Sequence, residues 1–189
     1  MKRILIACLC ALMTLGAQAN TEVAGITFDS SATVGGQALT LNGAGVRTKL
    51  FFDVYAAGLY LATKTTKAGA ALGAEGPKRI DLTMLRDVSA EKFVASLNDG
   101  LTANQAPAAL AALQPRIDAF CATLLRLKEA RKGQRFQMDY LPGTGTQLRV
   151  DGTTVGSAIE GADFFTALLG VWIGEHPAQT DLKSALLGQ

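Results

Sequence analysis

The sequence predicts an α+β domain: a large, mostly antiparallel sheet with a helical layer on one face. Three observations carry this. Strand patterns gather at both ends of the chain, with helical patterns between them. Two hairpin signals, Gly35-Gly36 and Asp151-Gly152, imply antiparallel neighbours. The run 50–61 is apolar on both strand faces, as a central, doubly covered strand is.

The elements follow in order. Residues 23–28 read as a first strand, and residues 32–39 as a hairpin turning at Gly35-Gly36. Residues 63–78, rich in Ala, Gly, Lys and Thr, read as a loop with one helical turn. Residues 79–84 alternate polar and apolar, the pattern of a half-buried strand. Ser89 offers an N-cap, with Glu91 in the first turn and Phe93, Val94, Leu97 and Leu101 following at helical spacing. Pro107 restarts a helix, and a longer one is expected over 116–132, stopped by Gly133. Residues 135–140 alternate strictly, and residues 148–155 form the second hairpin. Phe164, Phe165, Leu168, Leu169 and Trp172 line one face of a helix that Gly174 stops. A short terminal helix is expected over 181–187, with Thr180 as its cap.

Residues 1–19 are expected to be a signal peptide: Lys2 and Arg3, a short apolar run, then Ala17-Gln18-Ala19 as the cleavage site. A competing lipoprotein reading at Cys8 leaves almost no apolar core before the cysteine. Residues 20–189 then form one domain, secreted across the inner membrane and expected in the periplasm. Removing 19 of 189 residues leaves 170 and takes Lys2 and Arg3 from the 18 basic side chains, so 16 basic face 16 acidic. That neutrality gives no electrostatic footprint for nucleic acid. No later segment is long and apolar enough for a transmembrane segment. Cys121 then has no partner for an internal disulfide, and one Cys with one His, His176, cannot build a standard zinc site.

Arg47 is the side chain that points to chemistry. It ends the small-residue run Asn42-Gly43-Ala44-Gly45-Val46 and precedes the apolar strand. A guanidinium keeps its charge, so apolar surroundings demand an anion, and its planar fork suits a carboxylate. The alternative is a strand-end Arg with its head in water. Tyr55 and Tyr60 lie downstream but five apart, so one strand points them to opposite faces. Gly43 and Gly45 do not make a nucleotide loop, since no third glycine and no helix pattern follow. They suit a bulge or a close backbone approach. Asp139 and Asp163 are unsupported as an acid/base pair, and no G-x-S-x-G, H-E-x-x-H or P-loop is present.

Residues 41–47 and 54–61 resemble the start of the chalcone isomerase-like domain. Leu82-Thr83-Met84 with Ser89-Ala90-Glu91-Lys92-Phe93 resembles its next strand and helix, and residues 164–174 its closing helix. The resemblance covers nearly all of residues 20–189. It implies an open-faced β-sandwich, in agreement with the pattern reading. It also implies one of two roles for Arg47: polarising a substrate, as in the isomerases, or holding a fatty-acid carboxylate, as in the lipid binders. The isomerases carry Thr at the place of Tyr55, Tyr at the place of Ser89, and Asn near Ser96 or Asn98. The lipid-binding members pair their Arg with a Tyr matching Tyr55.

The expectation is therefore non-catalytic binding of a small apolar carboxylate, such as a fatty acid, with no cofactor. Arg47 and Tyr55 would hold the head group, and Phe93, Leu97, Phe165 and Leu168 the tail. Three alternatives stay open: an isomerase or lyase with Arg47 as electrophile, a structural or partner-binding domain with Arg47 paired to Asp53, and a carrier of an apolar cofactor. Oligomeric state is not legible.

Overall fold

Four two-residue turns set the register of four of the eight strand pairings among the described residues. In the computed structural model, which describes residues 20–189, they join β1 (Thr21–Val23) to β2 (Ile26–Phe28), β3 (Ser31–Val34) to β4 (Gln37–Lys49), β4 to β5 (Phe52–Leu61), and β10 (Gly145–Val150) to β11 (Thr153–Ile159). The expected signal segment, residues 1–19, lies outside the described residues. Three of the turns, Ala24-Gly25, Gly35-Gly36 and Asp151-Gly152, hold both residues at positive φ, the mirror-image geometry that matches strand twist. The single strand expected over 23–28 is therefore a hairpin, because Ala24 and Gly25 fold back at φ 49° and 76°.

The remaining elements are α1 (Ala68–Gly73), β6 (Lys78–Met84), β7 (Val88–Ser89), α2 (Ala90–Asn104), α3 (Pro107–Leu125), β8 (Glu129–Ala130), β9 (Arg135–Leu141), α4 (Ala162–Ile173) and α5 (Thr180–Leu186). Seven strands form one sheet in the order β11-β10-β9-β6-β5-β4-β3, every neighbour antiparallel. The run 50–61, read as a central strand covered on both faces, is exposed at Leu50, Phe51 and Phe52, which form the hairpin tip. Strand β5 begins only at Phe52 and does lie between β4 and β6. Its alternation sends Tyr55, Ala57 and Leu59 into the main core with α2, α3 and α4, and Ala56 and Tyr60 into a second cluster with Phe28, Leu39 and Leu41. The two tyrosines thus face opposite sides, and Tyr60 donates its hydroxyl to the Asp29 carbonyl at 3.0 Å.

Strand β6 is buried along its whole length, not half-buried as its alternation suggests. Its polar residues on the face away from the helices find cross-strand partners. Arg79 donates to both oxygens of Asp139, at 2.5 and 2.6 Å. Asp81 accepts from Arg135 and Gln137. The charges on one strand neutralise those on the next, so the alternating pattern marks pairing and not exposure. Asp139 is thereby committed to structure.

The helical pattern over 116–132 also resolves differently. One helix, α3, begins at Pro107, runs through Pro115 and ends at Leu125. Contrary to the expectation that no later segment could span a membrane, its 19 residues are long and apolar enough to do so, while its Leu113, Ile117, Phe120, Cys121 and Leu124 are buried in the core. Lys128 then turns the chain at φ 64°, and Glu129–Ala130 pairs with Val88–Ser89. Cys121 is buried on this helix, where burial pushes its thiol up to about 11, that of an inert thiol.

The run around Gly43 serves both expected purposes. A register shift between Leu41 and Gly43 makes Asn42 the extra residue of a bulge. Its side chain donates to the carbonyls of Leu186 and Thr65 and accepts from the Thr65 N–H. Gly43 and Gly45 form the seat of α5, since a Cβ on Gly43 would run into the Ala185 carbonyl and one on Gly45 into the Ala185 side chain. With α5 pressed onto β4, the residue ahead of it, Gln179, reaches Arg47.

Candidate functional site

Arg47 and Tyr55 are directly opposed partners on β4 and β5, so both side chains rise from the same sheet face. A second register shift follows at once, between Arg47 and Thr48. Pairing resumes with Thr48 opposite Asp53 and Lys49 opposite Phe52. Beside this stretch lies a cavity of about 450 Å³, bounded by the end of β4, the start of β5, the first half of α2 and the last turn of α4. That volume lies in the range of small-molecule sites. Its buried wall is Tyr55, Leu97, Val171 and Trp172, and its exposed side includes Lys49, Arg86 and Lys92.

The polar groups within it are ordered. Arg47 Nη1 donates to the Thr48 carbonyl at 2.6 Å and to Gln179 Oε1 at 3.3 Å. Gln179 Oε1 also accepts the Thr48 N–H at 2.8 Å, which ties the segment before α5 to the strand end. No described carboxylate forms a salt bridge with Arg47. Asp53, the acid weighed as its internal partner, accepts from the Thr48 hydroxyl at 2.8 Å instead.

Tyr55 is buried, and its hydroxyl oxygen accepts from Trp172 Nε1–H at 2.9 Å. Burial pushes its phenol above the ordinary value, while the Trp172 bond and the neighbouring Arg47 cation pull the other way. A phenol is neutral near pH 7 without any shift, so Tyr55 stands as a donor beside a cation.

Four of the six residues expected to touch ligand, Arg47, Tyr55, Phe93 and Leu97, line this one cavity. Phe165 and Leu168 are absent from its lining. Both are fully buried on the first two turns of α4, with Phe165 against Tyr140 and Lys78. One helix face is longer than the cavity, so only the last turn, at Val171 and Trp172, reaches the Arg47 corner. Ser89 and Ser96 also line the cavity, while Asn98 accepts a hydrogen bond from the Cys121 thiol outside it. Ser89 caps α2, accepting from Lys92 N–H at 3.4 Å.

Trp172 and Gln179 were not among the expected site residues. A buried indole N–H must find an acceptor, which marks Trp172 as needing a partner. That Tyr55 is the partner, 117 residues away, is a fact of topology.

A family model described as chalcone isomerase-like matches residues 20–188. The chain belongs to the chalcone isomerase-like family. Among solved structures it is similar to a fatty-acid binding protein of Arabidopsis thaliana, with a TM-score of 0.66 over 86% of this chain and 92% of that one. The two are 17% identical, so this likeness establishes the shared fold. No curated protein matches the chain in sequence. Within the chalcone isomerase-like fold, the large antiparallel sheet with helices on one side places Arg47 and Tyr55 in the corner described above.

Proposed function

We propose that this protein binds an apolar carboxylate, a fatty acid, without catalysis. The observation that carries the reading is Arg47: a permanent cation on a cavity wall, hydrogen-bonded to neutral oxygens and salt-bridged to no described residue. A carboxylate would complete it with charge-assisted hydrogen bonds. The Tyr55 hydroxyl already uses its oxygen to accept from Trp172, so its proton is the group to offer a ligand. Phe93, Leu97 and Val171 supply apolar wall for the start of a tail, whose burial would drive binding. The name of the Arabidopsis structure, a fatty-acid binding protein, supports the same reading.

The protein is proposed to act in the periplasm, on the strength of the basic start and the Ala17-Gln18-Ala19 site. Exported protein is expected to begin at Asn20; full-length protein retained in the cytoplasm with residues 1–19 attached would contradict that placement. Native mass spectrometry of the exported protein, followed by extraction, is expected to release a fatty acid in one-to-one ratio. Protein that carries a neutral or cationic molecule instead would count against a carboxylate site.

Tyr55→Phe keeps the ring in place and removes the donor. It is expected to cost about 0.5–1.5 kcal/mol of fatty-acid affinity. Neither wild type nor variant should speed chalcone ring closure, because burial makes the phenol a weaker acid and no described carboxylate or amine is hydrogen-bonded to it. Chalcone absorbance followed over time checks this. Turnover in wild type that Tyr55→Phe abolishes would assign the site to an isomerase with Arg47 as electrophile.

A further inference from the structure

Four large hydrophobic side chains are exposed among the described residues, and three are consecutive: Leu50, Phe51 and Phe52, at 83%, 95% and 57%. They form the β4–β5 hairpin tip, where Leu50-Phe51 is the two-residue turn. The other three such turns each place a glycine at the second position. Here Leu50 takes the left-handed conformation, at φ 58°, in the first turn position where a glycine is usual. Turn chemistry and water both disfavour these residues, so their reason lies outside the fold.

The surrounding charge indicates what they meet. Lys49 flanks the tip, the Arg86 guanidinium lies 4.7 Å over the Phe52 ring, and Lys92 stands across the cavity mouth. All three are exposed and form no salt bridge with a described residue. Two nearby carboxylates are turned to donors of the chain itself, Asp53 to the Thr48 hydroxyl and Asp87 to the Lys132 N–H. Asp99 also lines the cavity, and Glu91 stands exposed on α2. Three cations and four carboxylates share this region, so its net charge is small. The exposed apolar tip, with Lys49 beside it and Arg86 over Phe52, suits a bilayer whose acyl boundary takes up the apolar side chains and whose anionic headgroups attract Lys49 and Arg86.

We propose that this tip docks the protein on an anionic lipid surface. Leu50 and Phe51 enter the acyl boundary, and Lys49 and Arg86 meet the headgroups. Because Lys49, Leu50 and Phe52 belong to the cavity lining, docking turns the cavity mouth toward the lipid. The proposal stands on the hairpin and holds whatever the cavity binds. So small an anchor gives reversible, salt-sensitive attachment.

Flotation of residues 20–189 with vesicles of phosphatidylglycerol and phosphatidylcholine tests it, against phosphatidylcholine alone. Wild type is expected to float with the anionic vesicles and to release as salt is added. The variant L50G/F51N gives the turn its preferred glycine, so it should melt no lower than wild type, yet its bound fraction should fall by about tenfold or more. If the double variant melts early, F51S puts the same question without altering the Leu50 backbone. Wild type that stays off anionic vesicles overturns the proposal, as does a well-folded variant that binds equally. A wild-type dimer that L50G/F51N dissolves, without vesicle binding, would make a second copy the occupant and also overturn it.

Discussion

Asp139→Ala is expected to lower the stability of this protein by roughly 3–5 kcal/mol, the loss typical when one partner of a buried ion pair is removed. Arg79 and Asp139 are opposed residues on β6 and β9, with side chains 9% and 4% exposed. Without the carboxylate, a guanidinium that cannot shed its charge is left buried with its donors unmet. Against the 5–15 kcal/mol that holds a typical domain together, such a loss is severe. Replacing both partners with apolar residues, Arg79→Met with Asp139→Leu, should cost much less, since no orphaned charge remains. Urea unfolding of the three proteins checks this. A single variant that loses less than about 1 kcal/mol would mean the pair is solvated and not buried.

Arg47→Ala is expected to leave the fold nearly intact and to weaken fatty-acid binding by about 1.5–3 kcal/mol, the scale of hydrogen bonds to a charged group. Arg47 is only partly buried, and the oxygens it contacts, of Thr48 and Gln179, lie near solvent and can turn to water. Its contribution to folding is therefore small beside its contribution to an anion in the cavity. Arg47→Lys should recover part of the affinity, because a point charge replaces a fork. Thermal melting separates the two effects. A variant that unfolds outright would assign Arg47 to the strand end as a structural residue.

The sheet was legible because its signals are local. Gly35-Gly36 and Asp151-Gly152 mark turns wherever they occur, and the alternation at residues 135–140 carries its own period. Arg47 and Tyr55 stood out because a permanent cation beside an apolar strand has few comfortable states. What escaped the sequence depends on contacts between distant residues. The polar side of β6 looked exposed because nothing in residues 79–84 announces Asp139 or Arg135 on the neighbouring strand. The charged tract at 126–132 looked helical because its spacing continues that of α3, while the turn at Lys128 answers to pairing between residues 129–130 and 88–89. Phe165 and Leu168 share a helix face with Trp172, and periodicity cannot say where along that face a cavity stops.

The most direct measurement is a calorimetric titration of residues 20–189 with one saturated fatty acid below its micelle concentration, and with its methyl ester. The two share a tail and differ in the charge offered to Arg47. The acid is expected to bind at one site, about tenfold or more tighter than the ester, in keeping with one charge-assisted contact. Equal affinity for acid and ester, or no binding of either, would contradict Arg47 as the partner of a carboxylate.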